Sequence, residues 1–470
     1  MQGIEQVVTN ISNFLWGAPL IVLLAGAGII STIYLGLPQI KYFGQGFKEA
    51  FGGVFKKEEK REGSMTSFQS LATAIAAQVG TGNIAGVGTA IVSGGPGAVF
   101  WMWVLGFLGM ATIQVEALLA QKYRETTHEG DLVGGPAYYL KHGFVEKGKA
   151  GLGKFLAGFF AIAIVLALGI IGNMVQANSI SDALGTAFGV NQIVVGIILA
   201  IIAAFVFIGG MQRIASFAEK VVPVMALIYI IGAIALFVKF SDMIGPVFSA
   251  IFKGAFSGQS VLAGTAGYAV KQAVRYGAAR GLFSNEAGMG STPNSHAVAH
   301  VDHPVQQAMV ASVGVFIDTG IVCTVTALVI LCGGGHLSGQ EGVGITMASF
   351  QAAFGPMGAK FLAIALTAFA FTTLIGWYYF GEGNIRFLTK DSMGALRAYQ
   401  VAVFLAVILG SALKVEFVWQ LADFGNALMV IPNAIGVLLL MPQAKRLIKD
   451  YQTQVKSGEP LTYDYAYERL

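Results

Sequence analysis

Two short glycine-rich stretches stand in the middle of long apolar runs. Residues 78–83 read Gln-Val-Gly-Thr-Gly-Asn, and residues 283–291 read Phe-Ser-Asn-Glu-Ala-Gly-Met-Gly-Ser. Each contains Gly-x-Gly followed by a polar residue, and each lies where a helix that crosses a membrane would have its midpoint. Glycine alone is typical of close helix packing. Glycine together with several polar residues at the same depth favours two broken helices instead.

The composition places the chain in a membrane. Of its 470 residues, 55% are apolar before glycine is counted and only 11% are charged, whereas soluble domains carry about 25% charged residues. The 62 glycines and the mean hydropathy of +0.69 agree with this, and the apolar content excludes intrinsic disorder. The net charge of +4 is too small to indicate nucleic-acid binding, and the two cysteines provide neither a disulfide framework nor a metal site.

About eleven segments are long and apolar enough to span a bilayer, since one crossing needs about 20 such residues. Charged residues, or the Gly-Gly-Pro-Gly sequence at residues 94–97, separate them. The predicted helices start near residues 14, 66, 97, 155, 189, 219, 265, 304, 360, 398 and 419. Helices rather than a β-barrel satisfy the backbone of such long segments in lipid. We therefore predict an all-α integral membrane protein.

The lysines and arginines orient these helices, because cytoplasmic loops carry most of the positive charge. With the N-terminus outside, 22 of the 29 lysines and arginines lie in predicted cytoplasmic segments. Those segments are residues 41–64, 122–154, 211–220, 292–303, 386–397 and 442–470. The opposite orientation would place the same 22 residues outside. We predict a multi-pass plasma-membrane protein with an external N-terminus and a cytoplasmic C-terminus.

The order of the helices predicts an inverted repeat. One leading helix precedes two halves of five helices, and each half begins with an interrupted helix. An odd number of helices per half gives the halves opposite orientations. Long insertions stand at equivalent points on opposite faces, at residues 122–154 and 333–359, and residues 345–354 are typical of a short re-entrant or interfacial helix. Paired broken helices point to a transporter binding site. The predicted segments are a leading helix and basic loop (1–64), a first repeat (65–239), a second repeat (240–441) and a cytoplasmic tail (442–470).

Residues 78–87, 131–136 and 280–291 resemble the signatures of the alanine or glycine:cation symporter family, and the resemblance extends over the eleven-helix chain. That family belongs to the leucine-transporter-type, or amino acid–polyamine–organocation, fold of five plus five helices. The resemblance implies sodium- or proton-driven uptake of small neutral amino acids. It implies Na⁺ or H⁺ as the co-transported ion, no cofactor, and no role for ATP or nucleic acid.

A broken helix exposes amide donors on one side of the gap and carbonyl acceptors on the other. A substrate carboxylate fits amides at residues 80–82, where glycine permits close approach, and an ammonium fits carbonyls at residues 283 and 284. The predicted substrate residues are Gln78, Gly80, Thr81, Gly82, Asn83, Asn173, Gln176, Phe283, Ser284, Asn285, Gly288 and Trp377. Trp377, with Phe283 and Met289, would leave room for a small side chain only. Alternatively, the polar side chains satisfy the backbone at the breaks, and Asn173 and Gln176 bridge helices.

The resemblance to the wider fold also implies a sodium site between the first broken helix and the third helix of the second half. Carried over by position, its ligands are the carbonyl oxygens of Ala76, Val79 and Phe369 and the hydroxyls of Thr372 and Thr373. Five uncharged oxygens suit a weakly held monovalent ion that is released in each cycle. The alternative is that the threonine hydroxyls bond back to the preceding helical turn.

Charged residues inside a membrane are costly and are functional by default. Arg280, Glu286 and Asp318 lie within predicted helices; Arg280 would pair with one of the two carboxylates, or one carboxylate would bind a second cation or carry a proton. Glu116 is expected to accept hydrogen bonds from the exposed amides of a broken helix. Asp423 and the nearby Asn426 belong to a hypothetical external gate.

Other function classes fit the sequence less well. Residues 143–150 match most of a phosphate-binding loop but lack its final Ser or Thr and follow no predicted strand. His296, His300 and His303, with Asp302, have the spacing of a helical metal site, but we expect them in a solvated cytoplasmic loop. A membrane enzyme would need a nucleophile and base at depth, and a channel would need a continuous polar stripe. A proton-coupled symporter of the same fold is the main alternative to sodium coupling.

Overall fold

The structure is a computed structural model that describes residues 2–52, 63–256 and 266–469. Residues 53–62 of the predicted basic loop, and residues 257–265 ahead of the second broken helix, lie outside the described residues. The α-helices are α1 (Gln2–Leu15), α2 (Ala18–Tyr34), α3 (Pro38–Lys41), α4 (Phe43–Gly52), α5 (Ser67–Gln78), α6 (Val87–Gly94), α7 (Gly97–Lys122), α8 (Pro136–Glu146), α9 (Ala150–Ile164), α10 (Asn173–Phe188), α11 (Gln192–Phe207), α12 (Gly210–Lys239), α13 (Ser241–Phe256), α14 (Ala266–Asn285), α15 (Pro293–His296), α16 (Pro304–Val315), α17 (Thr324–Cys332), α18 (Val343–Phe354), α19 (Pro356–Thr389), α20 (Met393–Ala412) and α21 (Val415–Ser457).

Short irregular elements join these helices. Three π-helical segments span Gly82–Gly86, Val165–Gly172 and Phe316–Cys323. The first leads into α6, and the other two continue α9 and α16. Two 3₁₀ turns span Gly335–Leu337 and Ala466–Arg469, and two short antiparallel strands, β1 (Glu125–Thr126) and β2 (Leu132–Val133), form a hairpin after α7. The predicted all-α class is confirmed.

Eight helical segments in the described chain are long and apolar enough to span a membrane, and the bent pair of α5 with its continuation makes nine. A helix lies at each of the eleven predicted positions. However, α11 has only 16 residues, and α14 carries Lys271, Arg275 and Arg280. Length and composition therefore support eight or nine spans, and the count of eleven stays a prediction.

The first break follows from local backbone chemistry. Thr66 caps α5 through a hydrogen bond from the Gln69 amide, and the Gln69 side chain returns the bond to the Thr66 amide, which is a capping box. The helix ends at Gln78, since Val79 leaves the helical region with φ −85° and ψ 89°. The chain resumes in the π segment Gly82–Gly86 and α6 at an angle of 51° to α5.

The second break is made by left-handed backbone. After α14 ends at Asn285, Glu286, Gly288 and Gly290 have φ values of 58°, 84° and 85°. Glycine adopts this region freely, whereas a residue with a side chain pays about 1–2 kcal/mol there. Glu286 is therefore held in a strained conformation by its surroundings.

The two predicted insertions both contain helices. The one on the predicted cytoplasmic side holds the hairpin and α8, and the one on the other side holds α18, close to the expected 345–354. α18 reaches the first break, because the Thr346 hydroxyl donates to the Ile84 carbonyl at 3.0 Å. It thereby packs on the π segment Gly82–Gly86.

The helices that contain or flank the breaks pack together. α7 lies against α14 and α16, and α5 and α6 contact α16 and α14 respectively. A second set surrounds them, in which α10 packs on α19 and α20, and α21 packs on α9. Gly80 meets Gln176 of α10 and Thr373 of α19 at the junction of the two sets. Gly288, by contrast, bonds to Glu116 of α7 and Asn433 of α21.

Candidate functional site

The two breaks face each other at close range. A Cβ placed on Gly82 would lie 3.1 Å from Cδ1 of Phe283 and 3.2 Å from Cα of Ser284, so only glycine fits without a shift. The Gln78 side chain crosses the gap, and its Nε2 donates to the Asn285 carbonyl at 2.6 Å. The structure thus brings both predicted stretches into one buried site.

A buried carboxylate joins the breaks. Asp318, in the π segment Phe316–Cys323, accepts hydrogen bonds from Asn83 Nδ2 at 2.6 Å, Ser284 Oγ at 3.0 Å and Thr319 Oγ1 at 2.8 Å. Asn83 Oδ1 also accepts from the Gly80 amide at 2.9 Å. Within the described chain Asp318 forms no ion pair with a basic side chain. Its charge is stabilised by hydrogen-bond donors alone.

Sequence reasoning missed a neighbour of this carboxylate. The thiol of Cys323 lies 3.4 Å from Asn83 Nδ2 and 3.2 Å from Ser284 Oγ. The π segment Phe316–Cys323 brings Cys323 and Asp318 close together. No pattern in the sequence indicates this segment as clearly as the paired glycines indicate the two breaks.

Several polar atoms beside the first break are buried and have no hydrogen-bond partner. The Gln176 Oε1 accepts from the Thr81 amide at 3.3 Å, but its Nε2 is unpaired. Gln78 Oε1 and Thr81 Oγ1 in the break itself are also unpaired, as is Asn173 Oδ1, three residues before Gln176 on α10. Buried polar groups almost always have partners, so this concentration of unpaired donors and acceptors is suited to a small polar ligand.

An aromatic side chain closes one side of the site. Trp377, on α19, packs edge-to-face on Phe283 with ring centroids 5.8 Å apart and planes at 88°. Its ring also lies against Gly172, where a Cβ would approach Cε3 to 2.6 Å. Asn173, next in the chain, donates to its own helix at the Gly169 carbonyl. The oxygen Oδ1 of Asn173 has no hydrogen-bond partner.

Four of the five predicted ion ligands form two hydrogen-bonded pairs. Thr373 Oγ1 donates to the Ala76 carbonyl across two helices at 2.9 Å. Thr372 Oγ1 instead donates to the Phe369 carbonyl of its own helix at 2.8 Å, which is the back-bonding alternative. Val79 lies at the end of α5, and its amide bonds to the Ile75 carbonyl. Of the two threonines, only Thr373 reaches the first broken helix.

The predicted partner of Arg280 is wrong. Its guanidinium binds Asp423 on α21 through two bonds of 2.7 and 2.8 Å, and not Glu286 or Asp318. The α14 helix directs Arg280 toward α21, where the Trp419 ring lies 5.3 Å from the guanidinium carbon. Glu286 and Asp318, the two predicted partners of Arg280, accept hydrogen bonds from neutral donors instead.

The expected role of Glu116 agrees with the geometry. Its Oε2 accepts from the Gly288 amide at 3.0 Å, and its Oε1 accepts from Asn433 Nδ2 at 2.5 Å. The same Asn433 nitrogen lies 2.8 Å from the Gly288 carbonyl. Glu116 and Asn433 together satisfy the amide and the carbonyl of Gly288, in the middle of the second break.

The expected solvated loop at residues 292–303 is also wrong, because this segment is largely buried. Gln121 Nε2 donates to the carbonyls of His296, Ala297 and Ala299. His303 caps α16 by accepting from the Val305 amide at 3.2 Å. The segment is packed between α5 and α7, which explains why it carries no lysine or arginine.

Facing helix breaks, a carboxylate bound by neutral hydrogen-bond donors and several unpaired polar atoms lie together inside a bundle of membrane helices. These features define a secondary transporter for a small polar solute. The chain belongs to the sodium:alanine symporter family, whose family model matches residues 1–464.

Named relatives align over nearly the full chain. The sodium/alanine symporter AgcS of Methanococcus maripaludis is 42% identical over 441 residues, which cover 92% of this chain and 94% of that protein. The amino-acid carrier protein AlsT of Bacillus subtilis is 42% identical, with 97% and 94% covered. The probable sodium/glutamine symporter GlnT of Bacillus subtilis is 39% identical, with 98% and 94% covered. This protein is thus a multi-pass membrane symporter of amino acids and a cation, and not an enzyme.

Proposed function

We propose that this protein couples the entry of Na⁺ to the uptake of small neutral amino acids, alanine and glycine, by alternating access. The observation that carries the proposal is the meeting of the two breaks at Gly82 and Ser284, beside buried polar atoms that have no partner. The N-terminus would lie outside and the C-terminus in the cytoplasm, and the two five-helix repeats would rock against each other.

The zwitterion of an amino acid complements the site without any basic side chain. The Gly82 amide and the unpaired Gln176 Nε2 are donors for the carboxylate. The Gly80 and Thr81 amides join them once they exchange Asn83 Oδ1 and Gln176 Oε1 for the substrate. Carbonyls freed at the second break and the unpaired Gln78 Oε1 are acceptors for the ammonium. Desolvation of both charges is offset by these bonds, since hydrogen bonds to charged groups contribute about 1.5–3 kcal/mol each.

The aromatic wall favours a small side chain. Trp377 is wedged between Phe283 and Gly172, so the space beside the break cannot widen by rotating the indole. Alanine and glycine are the amino acids that such a wall admits most easily. A relative named for glutamine makes larger substrates the natural competitors to test.

Two features support Na⁺ as the coupled ion. The Thr373 hydroxyl and the Ala76 carbonyl are 2.9 Å apart and join different helices, so an ion bound there would tie the first broken helix to α19. The Asp318 carboxylate lies among neutral donors and has no basic partner in the described chain, so a second cation would be its counter-ion. The same carboxylate is what a proton-coupled cycle would use, and one relative is named a putative sodium/proton-dependent alanine carrier protein.

The deciding experiment is uptake of labelled alanine into proteoliposomes, with the Na⁺ gradient and the pH gradient imposed separately. We expect an inward Na⁺ gradient to drive accumulation at equal internal and external pH. Glycine should compete strongly, and glutamine and leucine weakly. Protein-free liposomes provide the background, and a panel of L- and D-amino acids measures chirality. Accumulation that follows the pH gradient and ignores Na⁺ would overturn sodium coupling.

A further inference from the structure

Glu286 is a buried carboxylate at the second break that the substrate and ion sites leave without a role. Its carboxylate accepts from Trp377 Nε1 at 2.5 Å and from Ser291 Oγ at 2.6 Å. It forms no ion pair with a basic residue of the described chain. Its backbone φ of 58° shows that the break aims this side chain at some conformational cost.

The hydrogen bond to Glu286 completes the fixation of the indole. Gly172 blocks one face of the Trp377 ring, and the Phe283 ring contacts it edge-to-face. These apolar contacts limit the ring's position, whereas the bond to Nε1 sets its rotation, because Trp377 has only two side-chain torsions. The bond also joins α19 to the second broken helix.

We propose that Glu286 is a positioning residue for substrate selectivity: its carboxylate holds the Trp377 indole in the orientation that limits the size of the amino-acid side chain. The inference rests on the proposed function, since it takes Trp377 as the wall of the substrate site. Glu286 itself touches the tryptophan and not the substrate.

Variants of Glu286 and Trp377 test this inference in reconstituted uptake. Glu286→Ala frees the indole, so we expect the KM for alanine to rise roughly tenfold with Vmax changed less than about threefold. The ratio of alanine to glutamine uptake should fall by a similar factor. Glu286→Gln keeps an acceptor oxygen and should stay within about threefold of the parent. Trp377→Phe removes the donor, and Glu286→Ala added to it should cause no further change in the ratio.

The outcomes separate the two proposals. If Trp377→Phe and Trp377→Ala leave the alanine-to-glutamine ratio unchanged, the assignment of Trp377 to the substrate site is wrong. If the tryptophan variants shift the ratio and Glu286→Ala does not, only the positioning role is overturned. If Glu286→Ala does not fold, Glu286→Asp replaces it in the test, because its side chain is one methylene shorter and moves the carboxylate away from the indole.

A different set of contacts concerns the C-terminal tail. After α21 ends at Ser457, the chain folds back, and its last described residues dock beside the end of α7. Glu468 Oε1 lies 2.5 Å from Nε of Arg124, whose side chain is fully buried. The Tyr465 ring covers the Arg124 guanidinium at 3.7 Å, and the Tyr465 hydroxyl donates to the Val301 carbonyl at 3.0 Å. Tyr467 donates to Glu146 at 3.0 Å.

These tail contacts lead directly to the base of the first broken helix. Arg124 Nη1 also donates to the Ala299 carbonyl at 2.7 Å. On the other side of that segment, the Met65 amide bonds to the Val298 carbonyl at 3.0 Å, and the His300 amide bonds to the Met65 carbonyl at 2.8 Å.

One turn into α5, a pair of serines adds a second link to the same segment. Ser295 Oγ donates to the Ser70 carbonyl at 2.7 Å, and Ser70 Oγ donates to the Ser295 carbonyl at 3.0 Å. The tail, the segment at residues 295–301 and the start of α5 thus form one connected network.

We infer that residues 463–468 are a latch that stabilises the closed arrangement at the face where the C-terminus lies. Opening at that face requires α5 to separate from residues 295–301. The latch opposes this separation because the Glu468 to Arg124 pair holds residues 297–299 in place. Its loss shifts the equilibrium toward the arrangement open on that face.

Labelling of a single introduced cysteine measures this opening. Ser70→Cys replaces a buried hydroxyl near the start of α5. The native Cys323 and Cys332 are also buried, and their labelling in the protein without this substitution is the background. An impermeant maleimide is applied to the C-terminal face of oriented vesicles. We expect removal of residues 458–470, and also Glu468→Gln, to raise the labelling rate at least about threefold.

The matched control is Glu459→Gln, which removes the same charge from an exposed position of the same tail. It should label like the parent. If both the truncated protein and Glu468→Gln elute as single species and label at the parental rate, the latch is refuted. If truncation prevents folding, Glu468→Gln alone decides.

Discussion

Asn83 and Asp318 form the shortest polar link between the first helix break and the π segment of α16, with Asn83 Nδ2 donating to Asp318 Oδ1 at 2.6 Å. The opposite end of the same amide accepts from the Gly80 backbone at 2.9 Å. A change of charge at Asp318 would therefore reach the Gly80 amide through the Asn83 side chain. This relationship gives a direct structural route for coupling an ion to an amino acid.

The first prediction concerns that carboxylate. Asp318→Asn keeps the shape but removes the charge, so a cation held there would lose its strongest ligand. We expect the Na⁺ concentration for half-maximal alanine uptake to rise at least about tenfold, a cost of about 1.4 kcal/mol or more. Asp242→Asn, on an exposed residue at the start of α13, is the control and should have the parental Na⁺ curve. A parental curve for Asp318→Asn would remove Asp318 from the ion path.

The two adjacent threonines should differ, although the sequence treats them alike. Thr373 bonds across to Ala76, whereas Thr372 bonds back within α19. We expect Thr373→Ala to raise the half-maximal Na⁺ concentration about tenfold and Thr372→Ala to raise it less than about threefold. Thr373→Ser, which keeps the hydroxyl, should restore most of the affinity. Equal effects of the two alanine variants would contradict the geometry.

Glycine at position 80 is required by space. A Cβ there would lie 2.2 Å from Thr373 Oγ1 and 3.2 Å from Gln176 Oε1. Gly80→Ala should therefore abolish the binding of both the substrate and Na⁺, while the protein still inserts into the membrane. The control is Gly158→Ala, where no atom lies within 4 Å of the added methyl. That variant should transport normally and gain up to about 1 kcal/mol of stability, because alanine favours the helix. Thermal unfolding followed by size-exclusion chromatography measures the stability of the two variants, and uptake of labelled alanine measures their transport.

The ion pair of Arg280 with Asp423 should matter more than a surface pair. Both side chains are mostly covered, and Asp423→Asn would leave the guanidinium without its charged partner. Loss of one partner of a buried pair costs about 3–5 kcal/mol in full burial, and less here because Asp423 is 23% exposed. We expect at least about a fivefold loss of uptake for Asp423→Asn, with Asp423→Glu between it and the parent. Full activity in Asp423→Asn would exclude the pair from the transport cycle.

The amino-acid sequence predicts much of this architecture. The apolar runs predicted the helices, and the two Gly-x-Gly-polar stretches located both breaks to within a few residues. The proximity of these breaks, the amide bonds of Glu116 and the helix at residues 345–354 also match expectation. These features are local, because the backbone freedom of glycine and the length of an apolar segment each depend only on neighbouring residues in the sequence.

Other features could not be read in this way. The partner of Arg280 lies 143 positions away on α21, the hydroxyl of Thr372 turns inward to its own helix, and residues 292–303 are buried although they read as a loop. The back-folded tail that reaches Arg124 had no sequence signal at all.

Sequence alone determined that this is a helical membrane protein with two broken helices, because hydrophobic length and glycine placement act within each segment. The tertiary structure decided which polar groups meet. Inside lipid a buried donor or charge must find its partner among whatever helices surround it, and that choice depends on helix rotation and packing rather than on spacing along the chain. Asp318 therefore lies between the breaks, while Arg280, only six residues before Glu286, turns away to Asp423.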